Sequence, residues 1–285
     1  MPKKPHVLSL RHMSPPSNPI EQTEDTTAPA PPAAVDGVGV RGRSDRRATG
    51  KVRGASHTNP FIYSHKTVYM QRIGDAVRAG FSLYTSGSIK LSKLPFLLQK
   101  FAERYQVNGT RMQDHRAGQE KRDVGRFYSH HVEGEEMVSW ILLYKPGRDP
   151  DSREKWRDAK ADRIEYKGYE LVRATKKEKA TPAWTWRMTR QHYRTLHDEM
   201  VFAIRGKQDA VVEQIIYSTS KAPGFAGVRE QVKGIWEILR SEWKRRRAKG
   251  EPVPKIPPTI GYVRRLADKG NFWSELVGEK KPGRT

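Results

Sequence analysis

Two histidines and a tyrosine are the side chains whose types could do covalent chemistry. His130 and His131 could each give a ring nitrogen to a divalent metal, and Tyr193, with His192 and His197 near it in the chain, could attack a phosphodiester. That would be the chemistry of a replication initiator or nuclease. A metal held this way needs both rings on one face of a strand, in an alternating His-x-His, whereas adjacent strand residues point to opposite faces. Only a bulge would bring them together. No phosphate-binding P-loop, dinucleotide glycine pattern, nucleophile elbow or acidic cluster for two metals accompanies them. Glu133, Glu135 and Glu136 are clustered turn acids, expected to face solvent. No catalysis and no cofactor is assigned, and the metal-and-tyrosine enzyme stays as an alternative.

The other chemistry in the chain is electrostatic. Its 54 Lys and Arg outnumber 32 Asp and Glu, a formal net charge of +22, with a pI near 10.2. Phosphate backbones are the commonest partner for such a surplus, because each cation that meets a phosphate releases condensed counterions. Within 228–247, at 100° per residue, Val228, Val232, Ile235, Leu239 and Trp243 form one apolar stripe. Arg229, Lys233, Arg240, Lys244 and Arg247 form a second stripe about a quarter turn away by the same rule, with Arg245 beside it. Trp236 and Trp243 next to it would offer stacking surfaces. The opposing reading is a solvated helix face, with Glu230, Glu237 and Glu242 offsetting part of the charge. A second basic region gathers Arg173, Lys176, Lys177, Lys179, Arg187, Arg190 and Arg194. There Trp184 and Trp186 share one strand face, expected to pack inward, while Thr185 and Arg187 share the other.

These residues need elements to hold them. Residues 1–60, rich in Pro, Ser, Thr, Ala and Gly, cannot bury enough apolar surface to fold and read as a disordered arm, basic in its last third. A single α+β domain is expected over 61–250. Phe81-Ser82-Leu83-Tyr84 reads as a short strand ended by a turn at Thr85-Ser86-Gly87-Ser88, followed by a helix through Leu91, Leu94, Leu98 and Phe101. Residues 126–132 and 137–144 form a hairpin across Glu133-Gly134-Glu135-Glu136, the second strand central because its apolar run barely alternates. A further antiparallel pair is expected at 170–173 and 183–188. The result is an antiparallel sheet of about four to five strands packed with helices, then a helical segment at 191–205, 208–219 and 228–247. Pro252, Pro254, Pro257 and Pro258 forbid further helix, so 251–285 reads as an extended, basic C-terminal arm. Between the second and third helices, Pro223-Gly224 ends one helix, Gly227 permits a tight entry to the next and Phe225 staples under it. That is a helix-turn-helix-like connection.

With no cysteine, disulfides, thiol nucleophiles and zinc fingers are excluded. No uncharged apolar run approaches the roughly twenty residues of a membrane span, and the start of the chain lacks a secretory apolar region. A cytoplasmic protein is expected. Trp184-Thr185-Trp186-Arg187-Met188-Thr189 and Pro223-Gly224-Phe225-Ala226-Gly227-Val228-Arg229-Glu230-Gln231-Val232 resemble stretches of uncharacterised basic proteins of proteobacterial plasmids and integrative conjugative elements. The resemblance spans roughly 81–247 and implies context alone, a bacterial mobile genetic element, which favours DNA over RNA. The expectation is therefore a DNA-binding accessory protein acting through phosphate contacts, with Arg229, Lys233, Arg240, Lys244, Arg245 and Arg247 first and Lys177, Arg187 and Arg190 second. An RNA-binding protein of a ribonucleoprotein particle is the other alternative.

Overall fold

The computed structural model describes residues 56–147, 153–175 and 181–278. The fold is mixed α+β. The four long strands read from the sequence are present but divided between two sheets. In the larger sheet, β4 (Val124–His130) and β5 (Met137–Lys145) form the expected hairpin, flanked by β1 (Phe61–Tyr63), β2 (Leu83–Lys90), β3 (Gln106–Val107), β6 (Arg157–Asp158) and β10 (Gly270–Phe272). The order is β10-β1-β4-β5-β2-β6, with β3 also on β4. Only the β1–β4 and β3–β4 pairings are parallel. The smaller sheet is β7 (Glu165–Tyr166), β8 (Tyr169–Ala174) and β9 (Ala183–Met188), antiparallel throughout.

Helix α1 (Lys66–Arg78) lies between the two sheets, touching β4 and β5 on one side and β9 on the other. Nine of its thirteen residues are buried, Gln71 and Arg72 included, as a helix covered on both sides requires. Trp186 of β9 is 1% exposed and its Nε1 donates to the Met70 carbonyl at 2.9 Å. This is the inward packing expected of the strand tryptophans. Helix α2 (Leu94–Arg104) covers the other face of the large sheet. The alternation along β5 therefore serves two cores: Ile141 and Leu143 join α1, whereas Val138, Leu142 and Tyr144 join Leu94, Leu98 and Phe101 of α2. An unbroken apolar run is what a strand buried on both faces needs. A short helix, α3 (Arg111–Gln119), is opened by Thr110 and Gln113 in a reciprocal cap.

Three further helices, α4 (Arg190–Arg205), α5 (Asp209–Ser220) and α6 (Ala226–Arg246), lie within two residues of their expected starts and ends. Two expectations are corrected. The turn placed at 85–88 is strand: β2 pairs with β5 from Leu83 opposite Tyr144 to Lys90 opposite Met137, and Trp140 lies over Gly87 so closely that a Cβ there would come within 3.1 Å of the indole. Long-range pairing overrides the local turn signal. The C-terminal arm also returns to the fold. Gln71 bonds the Arg264 carbonyl at 2.6 Å and the Leu266 amide at 3.2 Å, and β10 adds to β1. Helix α7 (Trp273–Leu276) follows, its Trp273 donating to Leu91 at 2.8 Å. The prolines do exclude helix over 251–258, where the chain is irregular. The expected N-terminal arm falls, up to residue 55, outside the described residues.

Candidate nucleic-acid interface and a basic cleft

The long helix α6 forms because its apolar stripe packs on α4, α5 and β9; Val228, Val232, Ile235, Leu239 and Trp243 are all at most 4% exposed. Its buried face is wider than the stripe alone. Trp236 is buried as well, its Nε1 donating to Thr219 Oγ1 of α5 at 3.1 Å. The two tryptophans expected to offer stacking surfaces are thus inside, where α5 and Arg247 cover them.

The cationic stripe divides in two. Lys233, Arg240, Lys244 and Arg245 are exposed. Arg240 and Lys244 have no carboxylate partner among the described residues, and Lys233 has only Glu237 at 3.7 Å. Arg245 pairs with Glu242 at 2.8 Å, but Glu242 also takes Arg205 of α4 at 3.4 Å and Arg246 at 4.0 Å. One buried carboxylate thus faces three guanidinium groups where the C-terminal ends of α4 and α6 meet. Arg205 and Arg246 were not singled out in the sequence, since only packing brings the two helix ends together.

Arg229 and Arg247 serve the fold instead. Arg229 donates to the Ile260 carbonyl at 2.6 Å and to Thr259 at 3.1 Å, with its guanidinium 3.4 Å from the Tyr262 ring centre. It fastens the returning C-terminal segment. Arg247, 3% exposed in its side chain, lies over Trp243 and pairs with Asp209 and Glu251.

In the second region, Arg187 points away from Trp186 as alternation requires. It and Arg163 both pair with the buried Glu170, at 2.6 and 2.9 Å. Arg190 and Arg194 are exposed without a carboxylate partner among the described residues. Lys177, with Lys176 and Lys179, lies outside the described residues. The turn from α5 to α6 is covered: a Cβ on Gly224 would collide with the Gly261 carbonyl, and one on Gly227 would come within 2.7 Å of the Trp186 carbonyl. A groove-reading helix presents its N-terminal residues to base edges, and these are packed away here.

The histidines separate as strand geometry requires. His130 is 3% exposed, and its Nδ1 lies 2.6 Å from the Tyr166 hydroxyl. Its Nε2 has no hydrogen-bond partner among the described residues. Burial first, then the nearby Lys167 charge, pushes its pKa down to about 4, while burial raises that of Tyr166. Both are neutral at pH 7. His131 Nε2 is 2.5 Å from the Glu135 carbonyl oxygen. The Tyr193 hydroxyl lies over Gly234 of α6. Among the described residues no three His, Asp or Glu come together in a way that could hold a metal, and none of the helices is long and apolar enough to cross a membrane.

A site without a signal in the sequence is a cleft of about 960 Å³ between the second half of α1, α3 with the turn after it, and the ends of β4 and β5. Arg72, Arg78, Lys121, Arg122, Arg126, Lys145 and Arg265 line it, against Asp75 and Asp114. Arg265 comes from the returning C-terminal segment and pairs with Asp75, as does Arg78. Burial holds Arg78 below the usual arginine value, and burial with the Arg72 charge does the same for Arg265. Arg126 pairs with Asp114 and lies 5.0 Å from the Phe81 ring centre. Comparison with protein-family models, with curated proteins and with solved structures returns no match.

Proposed function

We propose that the protein binds nucleic acid, DNA before RNA, through phosphate contacts, as a cytoplasmic accessory protein of a bacterial mobile genetic element. The observation that carries this reading is the surplus of exposed, unpartnered cations on the helical layer. Arg240 and Lys244 on α6 and Arg190 and Arg194 on α4 have no acidic partner among the described residues, and three arginines share Glu242. Such groups remain hydrated and mobile until phosphates replace their counterions, and the gain is then the entropy of ion release. With the base-reading end of α6 covered, phosphate contact is the mode that the exposed groups support. A net charge of +22 extends attraction well beyond the contact itself, steering association at low salt. The mobile-element context rests on the two sequence stretches that resemble plasmid and integrative-element proteins.

Labelled duplex DNA, single-stranded DNA and RNA of matched length, titrated across a salt series, test this reading. Duplex DNA is expected to bind tightest at every salt concentration, with log affinity falling linearly against log salt. Absence of binding to all three at physiological salt would overturn it, and a preference for RNA would move the proposal to a ribonucleoprotein particle.

A further inference from the structure

The cleft beside α1 shares no residue with the α6 cations, and its shape and charge suit a different kind of ligand. We propose that it is a binding site for a terminal phosphate, carried by a free nucleotide or by the end of a nucleic-acid strand.

Charge is the first argument. Seven Lys and Arg line the cleft against two Asp. Asp268 and Glu120, outside the lining, pair with Arg72 and Arg122, so among the described residues the carboxylates of the cleft and its rim are three fewer than its cations. Lys121 and Lys145 have no carboxylate partner among the described residues. A surplus of that size is matched better by a phosphomonoester dianion than by a singly charged carboxylate or phosphodiester.

The second argument is an unmet donor. Arg72 is 2% exposed, held by Asp268 at 2.6 Å and the Leu266 carbonyl at 2.7 Å. Its remaining terminal nitrogen, Nη1, is buried with no hydrogen-bond partner among the described residues and only Asp75 at 3.9 Å. A buried guanidinium donor left unmade is costly, and this one belongs to a residue lining the cleft. A phosphate oxygen brought within hydrogen-bond distance would give it an acceptor.

Surroundings and size agree. Phe81, Val124 and Tyr128 make an apolar floor that lowers the local dielectric and strengthens each charge contact. Burial pushes the Tyr128 pKa up to about 12, so its hydroxyl keeps its proton and can donate. A volume of about 960 Å³ falls in the range of roughly 300–1,000 Å³ usual for small-molecule sites. It accommodates one nucleotide and not a duplex.

The test is calorimetric titration of the full chain, at constant ionic strength, with inorganic phosphate, thymidine 5′-monophosphate, thymidine, and oligothymidylate bearing a 5′-phosphate or a 5′-hydroxyl. Inorganic phosphate and the monophosphate are expected to compete for one site that thymidine does not enter. The double variant Lys121→Ala, Lys145→Ala, which removes two exposed cations without a carboxylate partner among the described residues, should weaken the monophosphate about tenfold, the order expected when charge-assisted contacts are lost. Arg240→Ala with Lys244→Ala should leave that affinity unchanged while weakening duplex DNA. If the strand end is the ligand, the 5′-phosphorylated oligonucleotide outbinds its 5′-hydroxyl form, and the difference vanishes in the cleft variant; if a free nucleotide is, the two oligonucleotides bind alike. Failure of both phosphate and the monophosphate to bind at millimolar concentration, or an affinity unmoved by the cleft variant, would overturn the site without touching the α6 interface.

Discussion

Acidification is expected to unsettle the structure through His130. This ring is 3% exposed, and burial, with the Lys167 charge, lowers its pKa from 6.5 to about 4. An unfolded chain takes up a proton near pH 6.5 that the folded chain refuses until about pH 4. Between these values the unfolded state binds more protons, so stability falls as pH falls. At about 1.4 kcal/mol per pH unit, the full interval is worth about 3 kcal/mol, most of it lost by about pH 4.5. That is a large share of the roughly 5–15 kcal/mol that stabilises an ordinary domain. Urea unfolding followed by tryptophan fluorescence at pH 7 and pH 4.5 measures the loss, and the comparison is His130→Asn. The asparagine Oδ1 sits near the position of Nδ1, can accept from Tyr166, and does not titrate. This variant starts less stable, because the smaller side chain leaves a void, but its loss on acidification should be smaller than that of the wild type by about 2 kcal/mol. Carboxylates that titrate in the same range are common to both proteins and cancel. Parallel pH profiles for the two would refute the reasoning, because they would mean that His130 is not held neutral by burial.

Two substitutions separate fold from interface. Arg247→Ala removes a guanidinium covered on Trp243 and paired with Asp209 and Glu251; it should lower unfolding stability by about 2 kcal/mol, less than for a fully buried pair because both carboxylates can reach water, and leave the salt slope of DNA binding unchanged. Gly270→Ala would drive a Cβ into the Ile62 carbonyl and unpair β10 from β1. Limited trypsin digestion should then cut after Arg264, Arg265 or Lys269 several-fold faster while the rest of the domain persists.

The parts legible in the sequence are those whose pattern is local. The hairpin at β4 and β5 announced itself by alternation, a glycine turn and an apolar run, and α4 to α6 by 3.6-residue periodicity. Helix α1 escaped because a helix buried on both sides has no stripe, and its buried Gln71 and Arg72 resemble surface residues until Leu266 and Asp268 fold back on them. The same return hid the role of Arg229, whose partners Thr259, Ile260 and Tyr262 lie beyond the proline run. Proline forbids helix but says nothing of where the chain goes next. Gly87 reads as a turn residue and is strand because Trp140 needs the space above it. The cleft was illegible for a similar reason: its cations come from α1, the turn after α3, β4, β5 and Arg265, so no window of sequence contains them.

The central claim is tested most directly by the salt dependence of duplex DNA binding in the wild type and in Arg240→Ala with Lys244→Ala. Each phosphate contact contributes about 0.9 to the slope of log affinity against log salt, so losing two should flatten it by about two while unfolding stability stays the same. A double variant with the wild-type slope and affinity would contradict the assignment of α6 as the phosphate-contacting surface.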